Sequence, residues 1–104
     1  MNVEDILETV KKSIHNHCIK QMMNPLKKEF ILILDNDEDE KITFIGIDFV
    51  LSWIQKIFDY KVSTYSIDVI DPDDKEPIVS LFQGTGYEWQ ITYNSQWDDE
   101  GFSD

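Results

Sequence analysis

The sequence predicts an α+β domain: a mainly antiparallel five-stranded sheet with two helices, in the order α-β-β-α-β-β-β. Three observations carry that prediction. Apolar residues recur at helical spacing over residues 3–22, two apolar β-branched runs flank an acidic turn at residues 35–40, and residues 87–94 alternate between large apolar and polar side chains. Runs of strand and helix in this order favour a sheet covered by helices on one face.

The first helix is predicted from Val3, Ile6, Leu7, Val10, Ile14, Cys18 and Met22, spaced by one, three and four. Glu8 precedes Lys11 and Lys12 at the separation that supports a helix, and Asn24-Pro25 is expected to end it. Residues 30–34 form a short continuous apolar run, read as a buried strand, and residues 41–47 form its hairpin partner across the acidic turn. Asp48 is placed to cap a second helix running to Asp59, with Ser52, Gln55, Lys56 and Asp59 on its polar side and Phe49, Trp53 and Phe58 in the core. Residues 61–70 are rich in β-branched and aromatic side chains and close on Asp71-Pro72-Asp73-Asp74, a turn sequence. Residues 77–83 and 87–94 are the last two strands, joined by Gly84-Thr85-Gly86. In the last strand Tyr87, Trp89, Ile91 and Tyr93 make the packed face, and Glu88, Gln90, Thr92 and Asn94 the wet one. The organisation is one acidic domain over residues 1–94 followed by an acidic tail, residues 95–104.

Composition narrows the function. The chain has 104 residues, 41% apolar and 12% aromatic, enough to bury one core and too apolar for a disordered acidic segment. Cys18 is the single cysteine, so an intramolecular disulfide scaffold is excluded and a reducing cytoplasm fits. The first residues carry no basic region leading into an apolar stretch, and the apolar runs are too short for a membrane span, so neither a signal peptide nor a membrane anchor is expected.

The formal charge is −12, with 9 lysines, no arginine and 21 carboxylates. The acids gather in three runs: Asp35, Asp37, Glu38, Asp39 and Glu40; then Asp68, Asp71, Asp73, Asp74 and Glu76; then Asp98, Asp99, Glu100 and Asp104. Such a field repels nucleic acid and anionic membrane and attracts basic surfaces. Solvated charged turns would explain each run alone, but the total exceeds the charge of about 2 to 8 that keeps a small domain soluble.

Chemistry-bearing motifs are few. Residues 35–42 open like a calcium loop, with Asp35, Asp37 and Asp39 at its first, third and fifth positions. An EF-hand needs glycine sixth and glutamate twelfth, where this chain has Glu40 and Gly46. His15 and His17, two apart on a helix, point about 200 degrees apart and do not easily hold one ion, so Cys18 reads as a small core residue and both histidines as helix flank. No orienting group makes Cys18 a nucleophile, and no arginine or glycine-rich loop is present to hold an anionic substrate beside a carboxylate pair. No catalytic role, metal or cofactor is expected.

These exclusions leave a binding protein. An enzyme that cuts nucleic acid must line its groove with cations, and a small acidic protein of matching shape is steered onto it quickly. Immunity proteins, which protect bacteria from their own nuclease toxins, are of this general type, and phage inhibitors of host nucleases are similar. No motif ties the chain to either, so the expectation rests on size, charge and the lack of catalytic parts. The expected contacts are Asp35, Asp37, Asp39, Asp71, Asp73, Asp74, Trp97, Asp98 and Asp99. The expected partner is a basic protein, a toxin nuclease domain, rather than nucleic acid or membrane, met by a chain that is monomeric when free. An acidic adaptor or assembly subunit for another basic protein is the alternative.

Overall fold

The computed structural model describes residues 2–74 and 76–93. In chain order it has α1 (Val3–Lys20), β1 (Glu29–Leu34), a short 3-10 turn (Glu38–Glu40), β2 (Ile42–Ile45), α2 (Ile47–Asp59), β3 (Ser66–Ile70), β4 (Pro77–Gln83) and β5 (Trp89–Tyr93). The five strands form one sheet in the order β2-β1-β3-β4-β5, every neighbouring pair antiparallel. The α+β class and the order of elements are therefore those the sequence predicts. The predicted tail, residues 95–104, lies outside the described residues.

Core formation follows the stripes. In α1, Ile6, Val10, Ile14 and Cys18 recur every four residues and are all buried. In α2, Ile47, Val50, Ile54 and Ile57, spaced by three, four and three, are likewise all buried. The two helices pack against each other, α1 over β4 and α2 over β1 and β2. Beneath them the register places Leu32 and Leu34 of β1 beside Val69 and Ile67 of β3, and these beside Val79 and Leu81 of β4. Val69 pairs with Val79 and Ile70 with Pro77, so Ile78 is an extra residue in β4. That bulge lets consecutive Ile78 and Val79 both be buried. Aromatic edges seal the rim: Phe44 meets Trp53 at 5.9 Å and Phe58 meets Trp89 edge-on at 5.2 Å.

Several boundaries differ from expectation, for identifiable reasons. Helix α1 stops at Lys20, ahead of Asn24-Pro25, because Met22 takes a left-handed conformation with φ 57°. The Met23 N–H then donates to Cys18 O and the Met22 N–H to Ile19 O, a Schellman motif built without glycine. Helix α2 ends the same way, with Lys61 at φ 51° and the Val62 N–H donating to Ile57 O. Residues 61–65 are consequently loop rather than strand. Asp48 does not cap α2. The N-cap is Gly46, at φ 98°, and a Cβ there would lie 2.7 Å from Leu26 O. Phe49 is exposed rather than core, while Trp53 and Phe58 are half-buried against the core. Tyr87 sits in the β4–β5 hairpin at φ 63° and is exposed, so it does not belong to the packed face of β5. Among the described residues no helix is long and apolar enough to cross a membrane.

Candidate functional site

The antiparallel register fixes where the acidic runs lie. Leu34, at the end of β1, pairs with Ile67 near the start of β3, whereas Ile31 pairs with Ile70 at the other end. The run at residues 35–40 and the turn at residues 71–74 therefore occupy opposite ends of the sheet, and their fields do not add over one surface.

At the first end the chain folds into a fixed turn. Asp35 and Asn36 are both left-handed, φ 54° and 57°, and the Asp37 N–H donates to Leu34 O at 2.9 Å. This is a type I′ turn, whose φ values suit Asp and Asn among non-glycine residues. Asp35 Oδ1 accepts from the Tyr65 N–H at 2.7 Å, the Thr64 hydroxyl at 2.8 Å and the Ser66 N–H at 3.2 Å. The Tyr65 hydroxyl donates to Asp35 O, and the Asp35 N–H to Ser66 O. Burial by itself would push the Asp35 carboxyl up, but these three donors to the carboxylate outweigh it and hold it below the ordinary range. Asp37 then caps the 3-10 turn by accepting from the Asp39 N–H. Asp37, Glu38, Asp39 and Glu40 are all exposed.

A cleft of about 660 Å³ opens beside this turn, walled by Asp35, Phe58, Lys61, Tyr65, Gln83 and Trp89. The C-terminus of α2, the loop before β3 and the β4–β5 hairpin converge there. Around it Tyr60, Tyr65 and Tyr87 are exposed.

The second run has a different fate. Asp71 is fully buried: its Oδ2 accepts from His17 Nε2 at 2.7 Å, and its Oδ1 from Lys28 Nζ at 2.8 Å and the Asp73 N–H at 2.9 Å. Lys28 Nζ also meets Asp73 Oδ2 at 2.6 Å, and Gln21 Nε2 donates to Asp74 at 3.2 Å. Burial disfavours charge on Asp71, but hydrogen bonds from His17, Lys28 and the Asp73 N–H, with the charge of Lys28, leave its carboxyl lowered. Lys28, disfavoured as a cation by its own burial, is raised overall by its bonds to Asp71 and Asp73 and their charges. These groups tie the β3–β4 turn to α1 and to the segment entering β1. Burial pushes the neighbouring Cys18 thiol up, with Lys28 opposing and Asp71 adding to the rise, so this sulfur is a poor nucleophile. His17, Asp71 and Asp74 bring three possible metal donors within 4.8 Å of one another. The Lys28 ammonium already supplies cationic charge in the same group, and both Asp71 oxygens are engaged.

Two expectations are corrected. Asp71 cannot touch a partner, because its carboxylate is enclosed and committed to His17 and Lys28. His17 is a buried, paired residue rather than helix flank; only His15 is half-buried there. Of the other expected contacts, Asp37 and Asp39 are exposed at one end and Asp73 and Asp74 at the other, while Asp35 is half-buried at the cleft wall. Trp97, Asp98 and Asp99 lie outside the described residues. The cleft residues Phe58, Tyr65, Gln83 and Trp89 carried no functional signal in sequence, because they come from four separate segments, α2, the loop before β3, β4 and β5. For His17 a signal existed: it follows Ile14 by three and Val10 by seven, on the buried stripe of α1. Comparison with known protein families, with curated proteins and with solved structures returns no match to this chain.

Proposed function

We propose that this protein is an acidic inhibitor of the immunity type, a cytoplasmic binding protein that neutralises a nucleic-acid-targeting toxin by covering its basic surface or active-site groove. The observation that carries the reading is the fixed turn at residues 35–40. Four exposed carboxylates, Asp37, Glu38, Asp39 and Glu40, stand on a backbone that Asp35 anchors to residues 64–66. Preorganised charge of this kind costs little ordering entropy on binding. Exposed Tyr60, Tyr65 and Tyr87 sit at the same end and supply the apolar contact on which interface energy concentrates.

The contact surface is accordingly the end built from the β1–β2 turn, the loop before β3 and the β4–β5 hairpin. Asp73 is exposed at the far end but spends its charge on Lys28, which supports a structural duty there. With a net charge of −12 the free chain repels its own copies and repels nucleic acid, so the partner is a cationic protein. The test is capture of the partner from the native host on tagged protein, followed by a cleavage assay. The expected partner is lysine- and arginine-rich, cuts nucleic acid, and stops doing so when the chain is added at saturation. Full cleavage under saturation, or a captured partner without basic surface, would overturn the reading.

A further inference from the structure

The cleft at the residue 35–40 end combines three features. Its side walls are aromatic: Phe58 and Trp89 lock edge to face, and Tyr65 completes the rim. At one wall stands a held carboxylate. All three hydrogen bonds to the Asp35 carboxylate go to Oδ1, and among the described residues none reaches Oδ2. At another wall the Gln83 amide is held by donating Nε2 to Tyr87 O at 2.9 Å, and its Oε1 remains as a neutral acceptor on a residue that lines the cleft.

Flat aromatic faces, an anionic oxygen and a neutral acceptor are together the complement of a guanidinium group, which stacks on rings and spreads five donors in a rigid plane. An anionic ligand is excluded by Asp35 and by the exposed acids beside it. A single carboxylate with one open oxygen is too poor a ligand set for a divalent ion. The chain contains no arginine, so such an occupant can only come from another molecule. We propose that the cleft receives an arginine side chain of the basic partner, an inference that rests on the inhibitor reading for the identity of that partner. The guanidinium lies against Trp89 and Tyr65 and donates to Asp35 Oδ2 and Gln83 Oε1. Lys61, also on the cleft wall, is a cation whose charge opposes the incoming group.

The test uses the full chain, labelled for NMR, with N-acetyl-arginine methylamide as probe and the citrulline and lysine analogues as controls. The Trp89 indole and Tyr65 amide resonances are expected to shift saturably with arginine, at affinity about tenfold above that of neutral citrulline, the worth of a hydrogen bond to a charged group. Asp35→Asn keeps the Oδ1 acceptor and a residue that tolerates positive φ, so it should fold and lose that preference; Lys61→Gln should tighten arginine binding. Shifts absent from the cleft, equal for citrulline, or unchanged by Asp35→Asn would overturn the inference. The probe is arginine alone. Its failure would leave the inhibitor reading to the capture experiment, and a failed capture would leave the titration result as it stands.

Discussion

Asp71 is the residue on which the fold leans hardest. Three donors meet a carboxylate with no access to water, two of them the side chains of His17 and Lys28, themselves almost wholly enclosed. Removing its charge leaves the buried Lys28 ammonium to Asp73 alone among the described carboxylates, so Asp71→Asn is expected to cost about 1.5 to 3 kcal/mol in urea-induced unfolding. Combining it with Lys28→Met should recover part of that loss, since the second change removes the under-compensated cation. A loss under about 1 kcal/mol in the single variant would mean that the pair contributes little. The pH dependence follows from the same groups. Asp35 and Asp71 have lowered carboxyls in the folded state, so the unfolded chain takes up their protons first. Their stabilisation is present above the unfolded pKa of about 3.9 and is lost as pH falls through the lower folded values. Lys28 is raised, so its share is complete below an unfolded value of about 10.4 and is lost as pH climbs through the higher folded one. Denaturant titrations should therefore show a stability plateau between these limits, and Asp35→Asn should make the acid limb shallower.

Helix ends illustrate what sequence reading can and cannot reach. The apolar stripes of α1 and α2 were plain, because burial imposes a 3.6-residue period on side-chain type. Their termini were not, because both Schellman caps place a non-glycine residue in the left-handed region, Met22 and Lys61, where no glycine marks the stop. This leaves room for improvement: Met22 is almost wholly exposed, so Met22→Gly removes left-handed strain without losing contacts and should stabilise by about 0.5 to 1 kcal/mol, measured by chemical denaturation. Gly46 is the reverse case. Gly46→Ala would set a methyl 2.7 Å from a backbone oxygen at φ 98°, and a loss of more than about 1 kcal/mol is expected in the same measurement. The β4 bulge was equally hidden, since two consecutive buried residues, Ile78 and Val79, read as an ordinary apolar run.

For the molecule taken together, the acidic composition was legible and its division of labour was not. Lys28 and Asp73 are 45 residues apart in the chain, and nothing local announces that one acidic turn is clamped to a buried lysine and histidine while the other stands in solvent. The exposed acids still repel one another across a chain of net charge −12, so the thermal midpoint should rise as salt is added up to physiological strength, where screening acts over about 8 Å. A midpoint that falls with salt would show that surface attraction outweighs repulsion. The decisive measurement is the association rate with the captured partner for the double variant Asp37→Lys/Asp39→Lys at low salt. Steering by the turn at residues 35–40 predicts a fall of about tenfold or more while the chain stays folded. An unchanged rate, with Asp73→Lys or Asp74→Lys abolishing association instead, would place the contact at the opposite end and contradict the proposal.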